Sequence, residues 1–217
     1  MSQADSPVSD SYITLLTEGS GEVLIQKSRF IGTAAPCSTE EEALAFLRSV
    51  KEKYRDARHN CYAYIIGLNS GIMRYSDDGE PGGTAGLPMM DILKHSHAVN
   101  CCAVVTRYFG GVLLGTGGLV RAYSQGCKIA LEAAGLVRME RSCLLKCSVS
   151  YSLWNSLQYV LQKLPVQLGS VAYAGEVTFS LTARKKDSES VITQLRNFSD
   201  GRMCCSFVSE EYRAWDL

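Results

Sequence analysis

Three carboxylate side chains lie close together in a stretch rich in glycine. Asp77, Asp78 and Glu80 belong to the segment YSDDGEPGGTAGLP, residues 75–88. Carboxylate oxygens are the ligands that Mg²⁺ prefers, and two carboxyl groups can also act as a general acid and base. Asp-Gly and Glu-Pro-Gly-Gly are equally ordinary in turns. The spacing does not fit an EF-hand, so a metal site, a catalytic pair and a turn or binding loop are the open interpretations.

A second glycine-rich segment, RYFGGVLLGTGG at residues 107–118, precedes a predicted helix. Backbone N–H groups at a helix N-terminus attract anions, and the guanidinium groups of Arg107 and Arg121 on either side suit phosphate. The spacing is neither G-x-G-x-x-G nor that of a P-loop. The segment therefore predicts an anion site or, alternatively, a tight turn with close packing. Its glycines are Gly110, Gly111, Gly115, Gly117 and Gly118.

A third segment, DARHNCYAY at residues 56–64, begins a predicted strand with polar residues. Because side chains alternate along a strand, His59 and Cys61 share one face. No third residue that would orient a cysteine–histidine pair is recognisable, so a buried thiol beside a hydrogen-bonded histidine is favoured. Arg58 and Asn60 are candidate binding residues beside them.

Charge is balanced over the chain but segregated within it. Lys and Arg number 22 and Asp and Glu number 22, which excludes a uniformly basic surface but not a local one. Residues 77–91 contain four acids and no base, whereas residues 92–131 contain basic residues and no acid. Arg121 and Lys128 share one side of the predicted helix. We expect a basic face that also presents the aromatic residues Tyr108 and Phe109.

Periodicity predicts the elements that must position these residues. Residues 11–37 predict a hairpin around Gly19–Gly21 and a further strand. Ser38 and Glu41 fit a capping box that begins a helix. Strands are predicted over 60–68 and 99–106, and helices over 87–96 and 119–134. The buried face of the last helix is predicted to be Leu119, Tyr123, Cys127, Ala130, Leu131 and Ala134.

The acidic and glycine-rich loops follow strands of what is predicted to be one sheet. Ligands in open α/β sheets lie beyond the carboxyl ends of the strands. We therefore expect the two loops on one face, with the acids beside Arg107 and Arg121.

From about residue 141 the predicted order is β-α-β-β-α-β, the ferredoxin-like split βαβ. The sequence therefore predicts an α+β protein with two domains, residues 1–140 and 141–217. Its nine cysteines include no C-x-x-C pair, and the polar N-terminus shows neither a basic n-region nor an apolar h-region, so we expect no secretory signal. These features predict free buried thiols in a cytoplasmic protein. The apolar runs are far shorter than the ~20 residues of a membrane span, so we expect no membrane partner.

Four ordered segments together resemble the YigZ/IMPACT family (UPF0029), in its bacterial two-domain form. They are Ser28-Arg29-Phe30, Arg58-His59-Asn60-Cys61, Ser76 to Pro81, and Arg107 to Gly111 running on to Tyr123. The resemblance implies an IMPACT-like βαβ domain similar to domain IV of elongation factor G. It implies a second domain similar to domain V of that factor, and work at the ribosome or with structured RNA. The family has no settled catalytic residues, so none is carried over.

We therefore expect a cytoplasmic, translation-associated regulatory protein, without a required cofactor, that binds RNA, the ribosome or a translation factor. One alternative is an enzyme acting on a phosphorylated small molecule, with Mg²⁺ on the acids and phosphate on the glycine segment. Another is an adaptor that binds only protein. A deep pocket at the motifs would favour the enzyme, and an open basic surface the binder. The expected binding residues are Arg58, His59, Asn60, Asp77, Asp78, Glu80, Arg107, Tyr108, Phe109, Gly110, Gly111, Gly115, Gly117, Gly118, Arg121 and Lys128.

Overall fold

The computed structural model describes residues 9–69 and 71–217. The N-terminal segment that was expected to lack a secretory signal lies largely outside these residues. The chain divides into two compact units, the first running to Arg138 and including residues 215–217, the second Met139–Ala214. Strands and helices build both units, which confirms the predicted α+β class.

The first unit is built on a five-stranded sheet. The elements of this unit are β1 (Ser11–Leu15), β2 (Gly19–Ile25), β3 (Ser28–Pro36), α1 (Glu40–Lys53), β4 (His59–Ile66), β5 (Ile72–Ser76), α2 (Gly86–His95), β6 (Cys101–Tyr108) and α3 (Gly115–Ala134). The sheet order is β2-β3-β6-β4-β5, and each neighbouring pair is antiparallel. β3, α1 and β4 form a βαβ unit that is split by β6. One end of the sheet therefore contains the starts of β3 and β4 and the ends of β2, β5 and β6.

Two local predictions in this unit are wrong. The β2–β3 hairpin turns at Gln26 and Lys27, both with positive φ, and not around Gly19–Gly21. Gly19 and Gly21 lie within β2, where a Cβ would overlap α3, so these glycines serve helix–sheet packing. The cap of α1 is Thr39, whose Oγ1 accepts from the Glu42 N–H at 3.2 Å. The predicted capping box was therefore one residue too early.

Helix α3 packs its predicted face against the sheet. Leu119, Tyr123 and Cys127 are buried, as are the other three predicted positions, which confirms the 3.6-residue periodicity. The helix begins at Gly115, four residues earlier than predicted. Gly115, Gly117 and Gly118 thus belong to its first turn, and the glycine loop is shorter than expected.

The second unit contains β7 (Leu136–Val149), which begins in the first unit, α4 (Tyr151–Leu161), β8 (Val166–Tyr173), β9 (Val177–Arg184), α5 (Ser188–Phe198) and β10 (Cys204–Trp215). β9 lies antiparallel between β7 and β8, and β10 pairs with β7. This is the predicted ferredoxin-like arrangement. It has its own apolar core, including Trp154, Leu157, Phe179, Leu181 and Leu195.

The expectation that every thiol is free is wrong for one pair. Cys147 and Cys205, on the paired strands β7 and β10, form a disulfide across a Cα–Cα distance of 4.2 Å. The pairing of distant strands, which spacing along the chain does not show, brings them together. The remaining cysteines are free, and among them only Cys204 is exposed.

Candidate functional site

The end of the first sheet where β5 and β6 finish brings the sequence motifs together. We call it the motif edge: the β2–β3 turn, residues 54–61, residues 76–86 and residues 107–118. His59 pairs in register with Arg107, and Arg29 with Tyr108. Because the sheet is antiparallel, the edge combines the starts of two strands with the ends of three others. The expected rule for the carboxyl ends of parallel strands therefore does not explain this juxtaposition.

Asp77 precedes helix α2 by several residues but binds the backbone N–H groups at the start of that helix. Its carboxylate accepts from the backbone N–H groups of Gly83, Ala85 and Gly86 at 2.8–2.9 Å. Burial alone would raise the pKa of this carboxyl, but the three N–H donors outweigh burial and hold the pKa below its usual value. The side chain of Asp77 is therefore engaged in building the loop.

Asp78 joins the acidic loop to β4 and α1. Its Oδ2 accepts from the Asn60 N–H at 2.7 Å, and its Oδ1 lies 3.1 Å from Lys51 Nζ. The His59 Nδ1–H donates to the Asp78 carbonyl oxygen at 2.9 Å, an assignment that follows because a carbonyl only accepts. His59 thus holds the acidic loop against the start of β4, and it does not form a cysteine–histidine pair with Cys61.

Glu80 and Arg107 form a buried ion pair. Arg107 Nη1 lies 2.7 Å from Glu80 Oε1, and the two side chains are only 7% and 4% exposed. The Tyr123 hydroxyl donates to the same oxygen at 2.7 Å. The guanidinium carbon also lies 5.4 Å from the ring centre of Phe30 and 5.5 Å from that of Phe109. Arg107 is therefore a structural link between the loop, the sheet and α3, and its guanidinium is not presented to solvent.

The acids at the motif edge do not fit a Mg²⁺ site. Mg²⁺ requires near-octahedral oxygen ligands with room for several waters. Asp77 is taken by three N–H donors, and Glu80 by a guanidinium and a hydroxyl. Over residues 9–69 and 71–217 no group of His, Cys, Asp and Glu is arranged to hold a metal ion.

Cys61 and Asn60 also point into the protein. The Cys61 thiol donates to the Asp77 carbonyl oxygen at 3.0 Å, and burial raises its pKa to about 12. The Asn60 side chain is buried, and its Oδ1 accepts from the Thr106 hydroxyl at 2.7 Å. Both residues stabilise β4 against its neighbours.

The glycine segment combines close packing with an open helix start. A Cβ on Gly110 would overlap the backbone of Lys27, and the Gly110 N–H donates to Ser28 Oγ at 3.2 Å. Gly111 has φ +83°. The first turn of α3 has no side-chain cap and no acidic residue. Anion binding at this helix start stays a prediction.

Other predicted residues face solvent. Phe109 is 53% exposed, and Arg58, Arg121 and Lys128 are exposed too. Within the described residues none of these three cations has a carboxylate within 4 Å. The Tyr108 hydroxyl, by contrast, donates to Asp56 Oδ1 at 2.7 Å. The exposed side of the site is therefore cationic and aromatic.

Several residues at this edge were missed from the sequence. Tyr123 was identified only as core, although its hydroxyl binds Glu80. Lys51 was not among the predicted binding residues, although it pairs with Asp78. Lys27 was not identified at all, although the turn places it exposed beside Gly110. The run Ser28-Arg29-Phe30 next to it was the only available signal.

Four cavities lie away from the motif edge. Cavities of about 620 and 250 Å³ are lined by second-unit residues such as Tyr159 and Phe179. Two of about 300 and 270 Å³ lie in the first unit, and Lys128 is the only predicted binding residue that lines any of these four.

In the described part of the chain no helix is long and apolar enough to cross a membrane.

Comparison with known proteins identifies relatives of both units. Residues 26–131 match the Impact N-terminal domain, and residues 147–202 match a domain of unknown function, DUF1949. The chain is 37% identical over 192 residues to the IMPACT family member YvyE of Bacillus subtilis, covering 88% of each chain. It is 50% identical over 110 residues to the IMPACT family member YigZ of Escherichia coli, covering 50% of this chain and 54% of that protein.

Two further proteins are similar to this chain, one found by its sequence and one by its structure. The Protein IMPACT homolog of Dictyostelium discoideum is 38% identical over 94 residues, covering 42% of this chain and 27% of that protein. A crystal structure described as that of a hypothetical protein is 32% identical, with a TM-score of 0.59. The match covers 94% of this chain and all of that one.

Proposed function

The chain belongs to the IMPACT family, and from this premise we propose that it is a translation-associated regulatory protein that binds RNA through its phosphates at the motif edge. The ribosome is the main source of such RNA in a cell, so ribosomal RNA is the first ligand to test. The proposal is one of binding and assigns no catalytic residue.

One observation carries this proposal: the acids of the motif edge are engaged internally, whereas Arg58 at that edge and Arg121 and Lys128 further along α3 have no ion pair among the described residues. Asp77 binds three N–H groups, Asp78 binds Asn60 and Lys51, and Glu80 binds Arg107. Exposed Arg58, Arg121 and Lys128 have no such partner among the described residues. Because Asp78 and Glu80 are paired with cations, the loop repels a phosphate backbone less than its sequence indicates.

Arg121 and Lys128 extend the cationic surface along α3. They lie seven residues apart on the exposed side of the helix, about 10 Å at 1.5 Å per residue. The engaged acids do not fit Mg²⁺, so the geometry gives no support to the Mg²⁺-dependent enzyme.

The test is RNA binding measured by fluorescence anisotropy at ~50 mM salt, where even non-specific association is favoured. Arg58→Ala, Arg121→Ala and Lys128→Ala should each weaken binding and lower the slope of log K against log salt by ~0.7–0.9. Arg48→Ala is the matched control, because Arg48 is exposed on α1 and has no ion pair in the described residues. Absence of binding by the unmodified protein at this salt concentration would overturn the proposal.

A further inference from the structure

The loop after β6 exposes apolar side chains that the phosphate-binding proposal does not use. Phe109 is 53% exposed and Leu113 is 86% exposed, with Val112 exposed between them. These residues lie at the motif edge, directly after Arg107. An exposed apolar group beside unpaired cations suggests a ligand with both apolar and anionic parts.

Phe109 is held in place on both sides along the chain. The buried guanidinium of Arg107 lies 5.5 Å from its ring centre and is itself fixed by Glu80 at 2.7 Å. The next residue, Gly110, donates its N–H to Ser28 Oγ at 3.2 Å and packs on the backbone of Lys27. A ring held in this way loses little conformational entropy when a ligand stacks on it.

Two exposed cations, Lys27 and Arg58, lie on segments of the motif edge that neighbour the loop of Phe109. Lys27 is exposed, has no ion pair in the described residues, and touches Gly110 through its backbone. Arg58 directly precedes His59, the residue that pairs in register with Arg107. A half-exposed aromatic ring together with exposed cations on neighbouring segments is the combination with which proteins bind single-stranded nucleic acid, by stacking bases and binding phosphates.

We propose that Phe109 is a stacking platform for an unpaired base, with the adjacent phosphates bound by Lys27 and Arg58. The ligand class is therefore single-stranded RNA, or the unpaired loops of a folded RNA, and not a continuous duplex. Bases inside a duplex are already stacked and cannot cover the ring. This inference rests on the proposed function and specifies its ligand.

The experiment compares a single-stranded 12-nucleotide RNA with a duplex of the same total charge. Replacing Phe109 by Leu removes the ring and keeps the apolar volume. Phe109→Leu should weaken single-strand binding by roughly 5- to 100-fold, the range for one lost base–aromatic stack, and change duplex binding by less than about twofold. Tyr159→Leu, at an exposed tyrosine of the second unit, should change neither.

Phe109→Trp provides a direct optical readout. The native Trp154 and Trp215 are buried, so emission from an exposed tryptophan at 109 should be quenched by the single strand and not by the duplex. Equal weakening of both RNAs by Phe109→Leu, or no quenching at position 109, would overturn the stacking inference while the phosphate proposal stands. Absence of binding to either RNA by the unmodified protein would overturn both and favour a protein ligand for the apolar loop.

Discussion

At the scale of single residues, the Arg107–Glu80 pair shows how burial changes what a charged side chain does. Arginine in a glycine-rich motif suggests a phosphate ligand, but here the guanidinium is enclosed by two aromatic rings and a carboxylate. A buried pair contributes little net stability compared with apolar replacements, yet loss of one partner leaves an uncompensated charge. The pair therefore locks the acidic loop, β6 and α3 in one arrangement.

Removing the charge from one partner should accordingly be costly. We expect Glu80→Gln to lower the free energy of unfolding of the first unit by about 3–5 kcal/mol, because Arg107 would remain charged and buried. Urea unfolding followed by circular dichroism measures this change. Glu22→Gln is the control: its partner Arg29 is exposed, and such pairs contribute about 0–1 kcal/mol. Equal effects of the two substitutions would contradict the structural role of Glu80.

The lowered pKa of Asp77 predicts that the free energy of unfolding depends on pH. Its pKa is lower in the folded protein than in the unfolded chain, so its contribution is full above the unfolded value of about 3.9 and is lost as the pH falls through the folded value. Asp77→Asn replaces one of the two acceptor oxygens by an NH₂ donor and should cost about 0.5–1.5 kcal/mol at pH 7, the contribution of one hydrogen bond.

The difference between wild type and Asp77→Asn should shrink below about pH 4 in urea unfolding experiments. Asp91→Asn, on the exposed side of α2, is the matched control. A difference that stays constant between pH 7 and pH 3 would show that the carboxylate charge of Asp77 contributes nothing to stability.

The thiols predict a selective labelling pattern. Cys204 is exposed, whereas burial raises the pKa of Cys61 to about 12 and those of Cys101, Cys102 and Cys127 well above normal. Because the thiolate is the reactive form, a maleimide at neutral pH should label Cys204 first in the native protein. Peptide mass spectrometry identifies the site. Rapid native labelling of Cys61 would contradict the enclosed geometry of β4.

At the scale of elements, the glycine segment shows that neighbouring glycines have different roles. Gly110 allows the loop to lie against the β2–β3 turn, whereas Gly117 lies in the first turn of α3 with open space around its Cα. Only the first position is sterically closed to a side chain.

Alanine substitutions at the two glycines should differ in their effect on the stability of the first unit. Gly110→Ala should destabilise the first unit by about 1–3 kcal/mol, because the added Cβ would overlap Lys27. Gly117→Ala should be neutral or stabilising by roughly 0.5 kcal/mol, since alanine favours the helix and keeps the backbone N–H. Thermal unfolding monitored by calorimetry compares the two. A destabilisation by Gly117→Ala equal to that by Gly110→Ala would contradict this distinction.

At the scale of the whole molecule, each unit has its own apolar core. The second core is made by α4, α5 and the sheet of the second unit and contains residues such as Trp154 and Leu181. Such a core satisfies the main requirement for independent folding.

The fragment Met139–Ala214 should therefore unfold cooperatively by itself. Its stability should be small, because domains of this size bury only ~60–65% of their unfolded surface. Circular dichroism during thermal unfolding measures cooperativity, and the same scan on a Leu181→Ala fragment is the control for core packing. A broad transition with little helical signal at low temperature would count against the fragment as a folding unit.

The amino-acid sequence by itself determined the fold class, the order of elements in the second unit and the buried face of α3. These features depend on residue spacing along one element, and periodicity reports that directly. The sequence pattern did not predict the turn at Gln26–Lys27 or strand β5. A turn with positive φ at two non-glycine residues leaves no composition signal, and β5 is short, with a mixed burial pattern.

Only the tertiary structure decided which motif residues face a ligand. Arg107 and Arg121 are equivalent in sequence as basic residues flanking glycines, yet one is buried against Glu80 and the other is exposed. The disulfide between Cys147 and Cys205 likewise depends on two strands far apart in the chain. The reason is the same in both cases: burial and pairing depend on which distant elements meet, and sheet order and register decide that in three dimensions.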